Sequence, residues 1–116
     1  MRIELDFPPA ELFPNRSRGR HWTVMHTAKT AYRQNSAWLT AQQKKDWKPR
    51  DGEIHMTVTF LMPDRRPRDV DNLLAAAKAG IDGLADALGI NDRQFGRITV
   101  IRKPGTKPGK TIIELE

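Results

Sequence analysis

EIHMTVTFLMPDRRPRDVDNLLAAAKAGIDGLADALG, residues 53–89, changes its hydrophobic period at a proline, and that change decides the fold. In residues 53–62, Ile54, Met56, Val58 and Phe60 alternate with polar neighbours among β-favouring residues, a period of two that predicts a strand ended by Pro63. Beyond Pro67 the apolar residues recur as Val70, Leu73, Leu74, Ala77, Ile81, Leu84 and Leu88, one face of an α-helix stopped by Gly89. Gly80 and Gly83 each cost roughly 1 kcal/mol relative to alanine inside a helix. Close approach of a sheet or a second helix would explain them.

On the N-terminal side, RIELDF sets Ile3, Leu5 and Phe7 against Arg2, Glu4 and Asp6, a strand with one buried face stopped by Pro8 and Pro9. Residues 10–24, with Pro14, Gly19, Glu11, Arg16, Arg18 and Arg20, predict an irregular basic loop. From His26 to Trp47 there is neither glycine nor proline, and Ala28, Ala31, Tyr32, Trp38 and Leu39 recur at near-helical spacing. This predicts a helix ending before Pro49. On the C-terminal side, residues 95–103 and 110–116 are expected as strands around PGTKPG, forming a hairpin. The order βαβαββ implies an α+β fold. We expect one two-layer domain over residues 1–116, a small mixed sheet carrying two main helices.

Twenty Lys and Arg against fourteen Asp and Glu give a formal net charge of +6. That footprint suits phosphate backbones or an anionic membrane surface. No cysteine is present, which excludes disulfides, thiolate nucleophiles and cysteine zinc sites, and is compatible with a reducing cytoplasm. No apolar run reaches the ~18 residues of a membrane span, and MRIELDFPP lacks the apolar core of a signal peptide. With 38% hydrophobic residues the core is thin for the length, a weak argument for burial of apolar surface against a second chain.

Against this basic background, RRPRDVD places Asp69 and Asp71 directly beside Arg65, Arg66 and Arg68. Two residues apart, the aspartates share a face only in extended chain, so they converge only if the helix starts at or just after them. Pro67 and the preference for Asp at the N-cap put the start there, and the same facts allow a plain structural use, one Asp capping and the other complementing the dipole. Asp92, in GINDRQ, reads by itself as a turn residue. It returns to the start of the helix only if the strand at 95–103 neighbours the strand at 53–62. Three converging carboxylates would repel unless they held a hard divalent cation, Mg²⁺ or Mn²⁺. Such an ion polarises phosphoryl oxygens, and the arginines would bring in the phosphodiester.

MPDRRPRDVDNLL (62–74) and INDRQF (90–95), with the early PP and PNR, AYRQNSA (31–37) and the C-terminal strand-Gly-strand segment, resemble the RusA-type Holliday-junction resolvases of bacteria and phages. The resemblance spans nearly the whole chain, and its Arg-Asp-x-Asp-Asn block is the specific part. It implies a Mg²⁺-dependent endodeoxyribonuclease that acts as a homodimer on four-way branched DNA in recombination and repair, a cytoplasmic protein without a small-molecule cofactor. It also implies that Asp69, Asp71 and Asp92 bind the metal. Asn91 stands where the family often has an acid. Ala75 stands where it has a lysine, with Lys78 three residues further near the same helical face as a candidate substitute. Members carry a short loop between PP and the Asn-Arg pair, whereas AELFP is interposed here before Asn15 and Arg16.

Arg65, Arg66 and Arg68 are candidates for phosphate contacts at the cut. Arg16, Arg18, Arg20, Lys29 and Arg33 could track a backbone from the first loop into the helix. Trp22 and Trp47, bracketed by basic residues, suit base stacking or, more commonly, packing. His21, His26 and His55 lack a metal-ligand spacing. A less selective branch or flap nuclease, and a DNA-binding protein without chemistry, remain open as alternatives.

Overall fold

A computed structural model describes residues 1–14 and 21–116. Its elements are β1 (Arg2–Asp6), α1 (Trp22–Gln43), β2 (His55–Met62), α2 (Val70–Leu88), β3 (Arg97–Pro104) and β4 (Lys110–Leu115). Short 3-10 turns lie at Ala10–Leu12 and Asp92–Gln94. The predicted α+β class and the order βαβαββ hold, with a four-stranded mixed sheet in the spatial order β1-β4-β2-β3.

The alternating residues behave as their period requires. Ile3, Leu5, Met56, Val58, Phe60, Ile113 and Leu115 form the inner face of the sheet, under Leu73, Ala77, Ile81, Leu84 and Leu88 of α2. Burying each of the larger of these side chains stabilises by about 1.5–3 kcal/mol, which outweighs the propensity cost of Gly80 and Gly83. Those glycines serve a second helix and not the sheet. A Cβ on Gly80 would stand 2.7 Å from the Tyr32 ring, and one on Gly83 would stand 2.2 Å from the backbone carbonyl of Arg33, so α1 crosses α2 at their surface. Tyr32, Ser36 and Thr40, four residues apart, are the buried stripe of α1. The Tyr32 hydroxyl donates to the Asp6 carbonyl at 2.8 Å, tying α1 to the edge strand β1, and burial pushes its pKa up.

Two expectations are corrected. The helix expected over 26–47 runs from Trp22 to Gln43. It starts early because His21 caps it, its Nδ1 accepting from the Thr23 N–H at 3.3 Å. It ends early because Trp47 packs against the main core and donates its indole N–H to the Leu88 carbonyl at 3.0 Å, closing the C-terminus of α2. The second correction concerns PGTKPG, which is not a hairpin loop, since β2 lies between β3 and β4. The β2–α2–β3 crossover lays β3 parallel to β2, with Val58 opposite Val100, and β4 enters antiparallel on the other side, with Ile113 opposite Val58. This order gives the apolar β2 and β4 the interior of the sheet and leaves the largely exposed β3 at its edge. Residues 105–109 therefore pass over the end of β2. A Cβ on Gly105 would come within 2.8 Å of the Met62 carbonyl, and one on Gly109 within 2.9 Å of the Leu61 carbonyl. Among the described residues, no helix is long and apolar enough to cross a membrane.

Candidate functional site

The polypeptide leaves β2 at Met62, turns through Pro63 and Pro67, and enters α2 with Asp69 as the N-cap in extended conformation, φ −78° and ψ 147°. Asp69 occupies the capping position but its side chain makes no capping hydrogen bond. Asp71 lies in the first turn, where the positive end of the helix favours a carboxylate. Both side chains are exposed, and neither makes an ion pair or side-chain hydrogen bond among the described residues. A side-chain cap is therefore not what Asp69 supplies.

Asp92 opens a 3-10 turn held rigid around it. Asn91 accepts from the Arg93 N–H at 2.9 Å, Gln94 accepts from the Asn91 N–H at 2.9 Å, and the Gln94 amide donates to the Arg50 and Gly52 carbonyls. The amide at 91, where the family often has an acid, is thus a working cap. β3 does neighbour β2, the condition for Asp92 to come back toward α2. It returns part of the way. Its Oδ2 accepts from Lys78 Nζ at 2.9 Å, and the same ammonium donates to Asp82 Oδ1 at 2.7 Å. Asp71, Ala75, Lys78 and Asp82 are spaced four, three and four apart, one stripe along α2. Asp92 therefore docks on the stripe that begins at Asp71 through Lys78, whose own position on the helix lies about 10 Å beyond that of Asp71. Lys78 holds the Asp92 carboxyl below the usual carboxylate range, and Asp82 foremost holds the Lys78 ammonium above its ordinary value.

The three aspartates are consequently not gathered into one cage. Among the described residues no group of three or more His, Cys, Asp or Glu side chains is placed to hold a metal ion. The donor chemistry nevertheless suits Mg²⁺, which usually keeps several waters and takes one or two carboxylates plus substrate phosphate. Asp69 and Asp71 are two such oxygen donors, without a partner among the described residues. Asp92 is the donor that is already committed.

The arginines divide. Arg68 forks onto Asp64 at 2.9 and 3.3 Å, and its guanidinium carbon lies 5.4 Å from the Phe7 ring centre. Only 13% exposed, this side chain builds the segment. It holds the Asp64 carboxyl down at about 2. Arg65 and Arg66 are exposed, and their guanidinium groups have no partner among the described residues, so they are the free cations of the segment. Lys29 is exposed on α1. Arg33 forks onto Asp86 at 2.8 and 3.0 Å beside Asp82 and Asp92. Arg16, Arg18 and Arg20 lie outside the described residues. Trp47 is a packing residue and Trp22 is 70% exposed. His55 bonds Thr99 Oγ1 at 2.8 Å on the sheet.

Three site residues escaped the sequence reading. Asp82 anchors Lys78. Arg102 of β3 donates to the Arg68 carbonyl, bracing the backbone next to Asp69. Asn72 lines the cavity beside Asp69, and its side chain has no hydrogen-bond partner among the described residues. The DN pair in RDVDN marks Asn72 in the sequence, whereas nothing local marks Arg102.

A family model described as endodeoxyribonuclease RusA matches residues 7–116. An uncharacterized protein of Xylella fastidiosa is 31% identical over 117 residues, covering 97% of this chain and 74% of that protein.

Proposed function

Because the chain belongs to the endodeoxyribonuclease RusA family, we propose that it is a Mg²⁺-dependent nuclease resolving four-way DNA junctions by paired hydrolysis, leaving 5′-phosphate and 3′-hydroxyl ends. The observation that carries this reading is the pair of carboxylates Asp69 and Asp71 at the start of α2, beside the cations Arg65 and Arg66, none of these side chains having a partner among the described residues. A helix start with two bare carboxylates repels a polyanion unless cations intervene, and a fold meant only to bind DNA gains nothing from them.

Asp69 and Asp71 would hold the ion, with Mn²⁺ an acceptable substitute, and Asp92 would join them once released from Lys78. Bound there, it would supply Lewis-acid polarisation of the phosphoryl oxygen and make an attacking water easier to deprotonate. Arg65 and Arg66 bind the phosphates flanking the cut and fix the strand. Arg68, through Asp64, holds the turn that presents Asp69. Lys78, 2.9 Å from Asp92, holds its carboxyl low and is a cation that could neutralise developing charge on the phosphate. Two opposed nicks require two such sites, which a symmetric homodimer provides. Exposed Trp38 and Ile98 offer apolar surface for it.

The Lys78–Asp92 ion pair is the observation that would suit a binder without chemistry. Cleavage of an immobile four-way junction separates the readings. Asp71→Asn is expected to abolish Mg²⁺-dependent cleavage and keep junction binding. Undiminished cleavage by this variant removes the metal role, and equal cutting of flaps and junctions removes the junction selectivity.

A further inference from the structure

Between the interposed AELFP segment and the PDRRPRD turn lies a cavity of about 500 Å³. Phe7, Phe13 and Pro67 line it on the apolar side, and Arg66, Asp69 and Asn72 on the polar side. It therefore shares Asp69 with the carboxylate pair. We propose that this cavity takes one unstacked nucleobase of the bound DNA next to the phosphate at Asp69 and Asp71, with Asn72 reading the edge of that base. The inference rests on the nuclease reading for what lies next door, and it names the part of the substrate that this site would recognise.

The cavity is built before any ligand arrives. Phe7 and Phe13 stack with ring centres 6.0 Å apart and an interplanar angle of 25°. Phe7 is fixed from behind by the buried Phe60, edge to face at 6.4 Å. Arg68, pinned by Asp64, lies 5.4 Å from the centre of Phe7 and 6.0 Å from that of Phe13. Aromatic rings and a guanidinium plane are the two protein surfaces on which displaced bases stack. The volume falls in the range of about 300–1,000 Å³ typical of small-ligand pockets, enough for a base and its sugar.

The polar side narrows the class of ligand. The Asn72 amide offers both a donor and an acceptor, has no partner among the described residues, and is half-buried, so a ligand edge can satisfy it. The Arg66 guanidinium, which has no partner among the described residues, favours an anion at the rim, which is where the phosphate of a nucleotide would lie once its base enters. An apolar ligand would leave both groups unmet. A base costs least to extract where it has already lost a stacking neighbour, and a branch point supplies such bases. Phe13 belongs to the interposed AELFP segment, so this wall is supplied by the very residues that set the chain apart from the family pattern.

The full-length protein is mixed, without divalent metal, with four-way junctions carrying 2-aminopurine at one position at a time around the branch point. Emission is expected to rise several-fold at a single position as that base leaves its stack. Phe13→Ala and Asn72→Ala, checked for wild-type melting and for junction binding, should each lower that rise at least twofold. No change at any position, or a rise unaltered in both folded variants, overturns the proposal. If Phe13→Ala does not fold, Asn72→Ala decides by the same criterion. Mg²⁺ added to the unlabelled junction tests cleavage separately. Cutting without an emission change sinks only the base pocket, an emission change without cutting sinks only the nuclease reading, and absence of binding sinks both.

Discussion

Replacing Gly83 by alanine tests the account of how α1 and α2 meet. The new Cβ would lie 2.2 Å from the Arg33 carbonyl oxygen and 3.1 Å from the Ala37 nitrogen, both backbone atoms. Real Cβ atoms keep at least 3.0 Å from neighbours, so about 0.8 Å must be found by moving one helix away from the other. A gap of that size forfeits roughly a quarter to a half of the dispersion energy across the seam. Overpacking ordinarily costs about 1–3 kcal/mol, and this site belongs at the upper end because a backbone carbonyl cannot rotate out of the way. Alanine returns roughly 1 kcal/mol of helix propensity. The net is a loss of about 2 kcal/mol, or a fall of roughly 10 °C in Tm for a domain of this size. Gly80→Ala, whose Cβ meets a Tyr32 ring able to shift, should lose less. Thermal melts followed by circular dichroism, with urea denaturation at 25 °C, give both quantities. A Gly83→Ala variant melting within about 2 °C of the wild type, or below Gly80→Ala in cost, would refute the close backbone crossing.

The ion pairs make further predictions. Lys78 is what chiefly holds the Asp92 carboxyl low, so in Lys78→Met its pKa should rise toward the ordinary carboxylate range, read by carboxyl carbon NMR across a pH titration; an unchanged midpoint would mean that the Lys78 contact does not form in solution. The Asp64 carboxyl is held from 3.8 down to about 2, foremost by the Arg68 hydrogen bond, so the folded pKa lies below the unfolded one. Its stabilisation is then complete above about pH 4 and lost as pH falls toward about 2. Urea denaturation between these limits should show a steeper loss in the wild type than in Asp64→Asn, and parallel curves would contradict the fork. Junction binding should weaken linearly in log K against log salt as counterions are released, with a shallower slope when Arg65 and Arg66 are both changed to alanine. An unchanged slope would remove them from the phosphate contacts.

What the residues alone determined was local. The switch from period two to period 3.6 at Pro63 and Pro67 located β2 and α2, because strand and helix patterns repeat within a few residues and proline and glycine mark the ends. The two glycines in α2 announced a close neighbour, and the RDVDN block announced the carboxylates and arginines. Contacts between distant segments were decided by packing. PGTKPG looks like a hairpin turn wherever it stands, and only the competition for the centre of the sheet, won by the more apolar β2, sent it across the strand end. Trp47 left its helix because an unsatisfied carbonyl at Leu88 was waiting some forty residues away in sequence. Whether Asp69 caps, and whether Asp92 meets Asp71 or stops at Lys78, depends on side chains brought together by the β2–α2–β3 crossover. Periodicity records which face of an element is buried, whereas pairing between faces is a property of the folded chain as a whole.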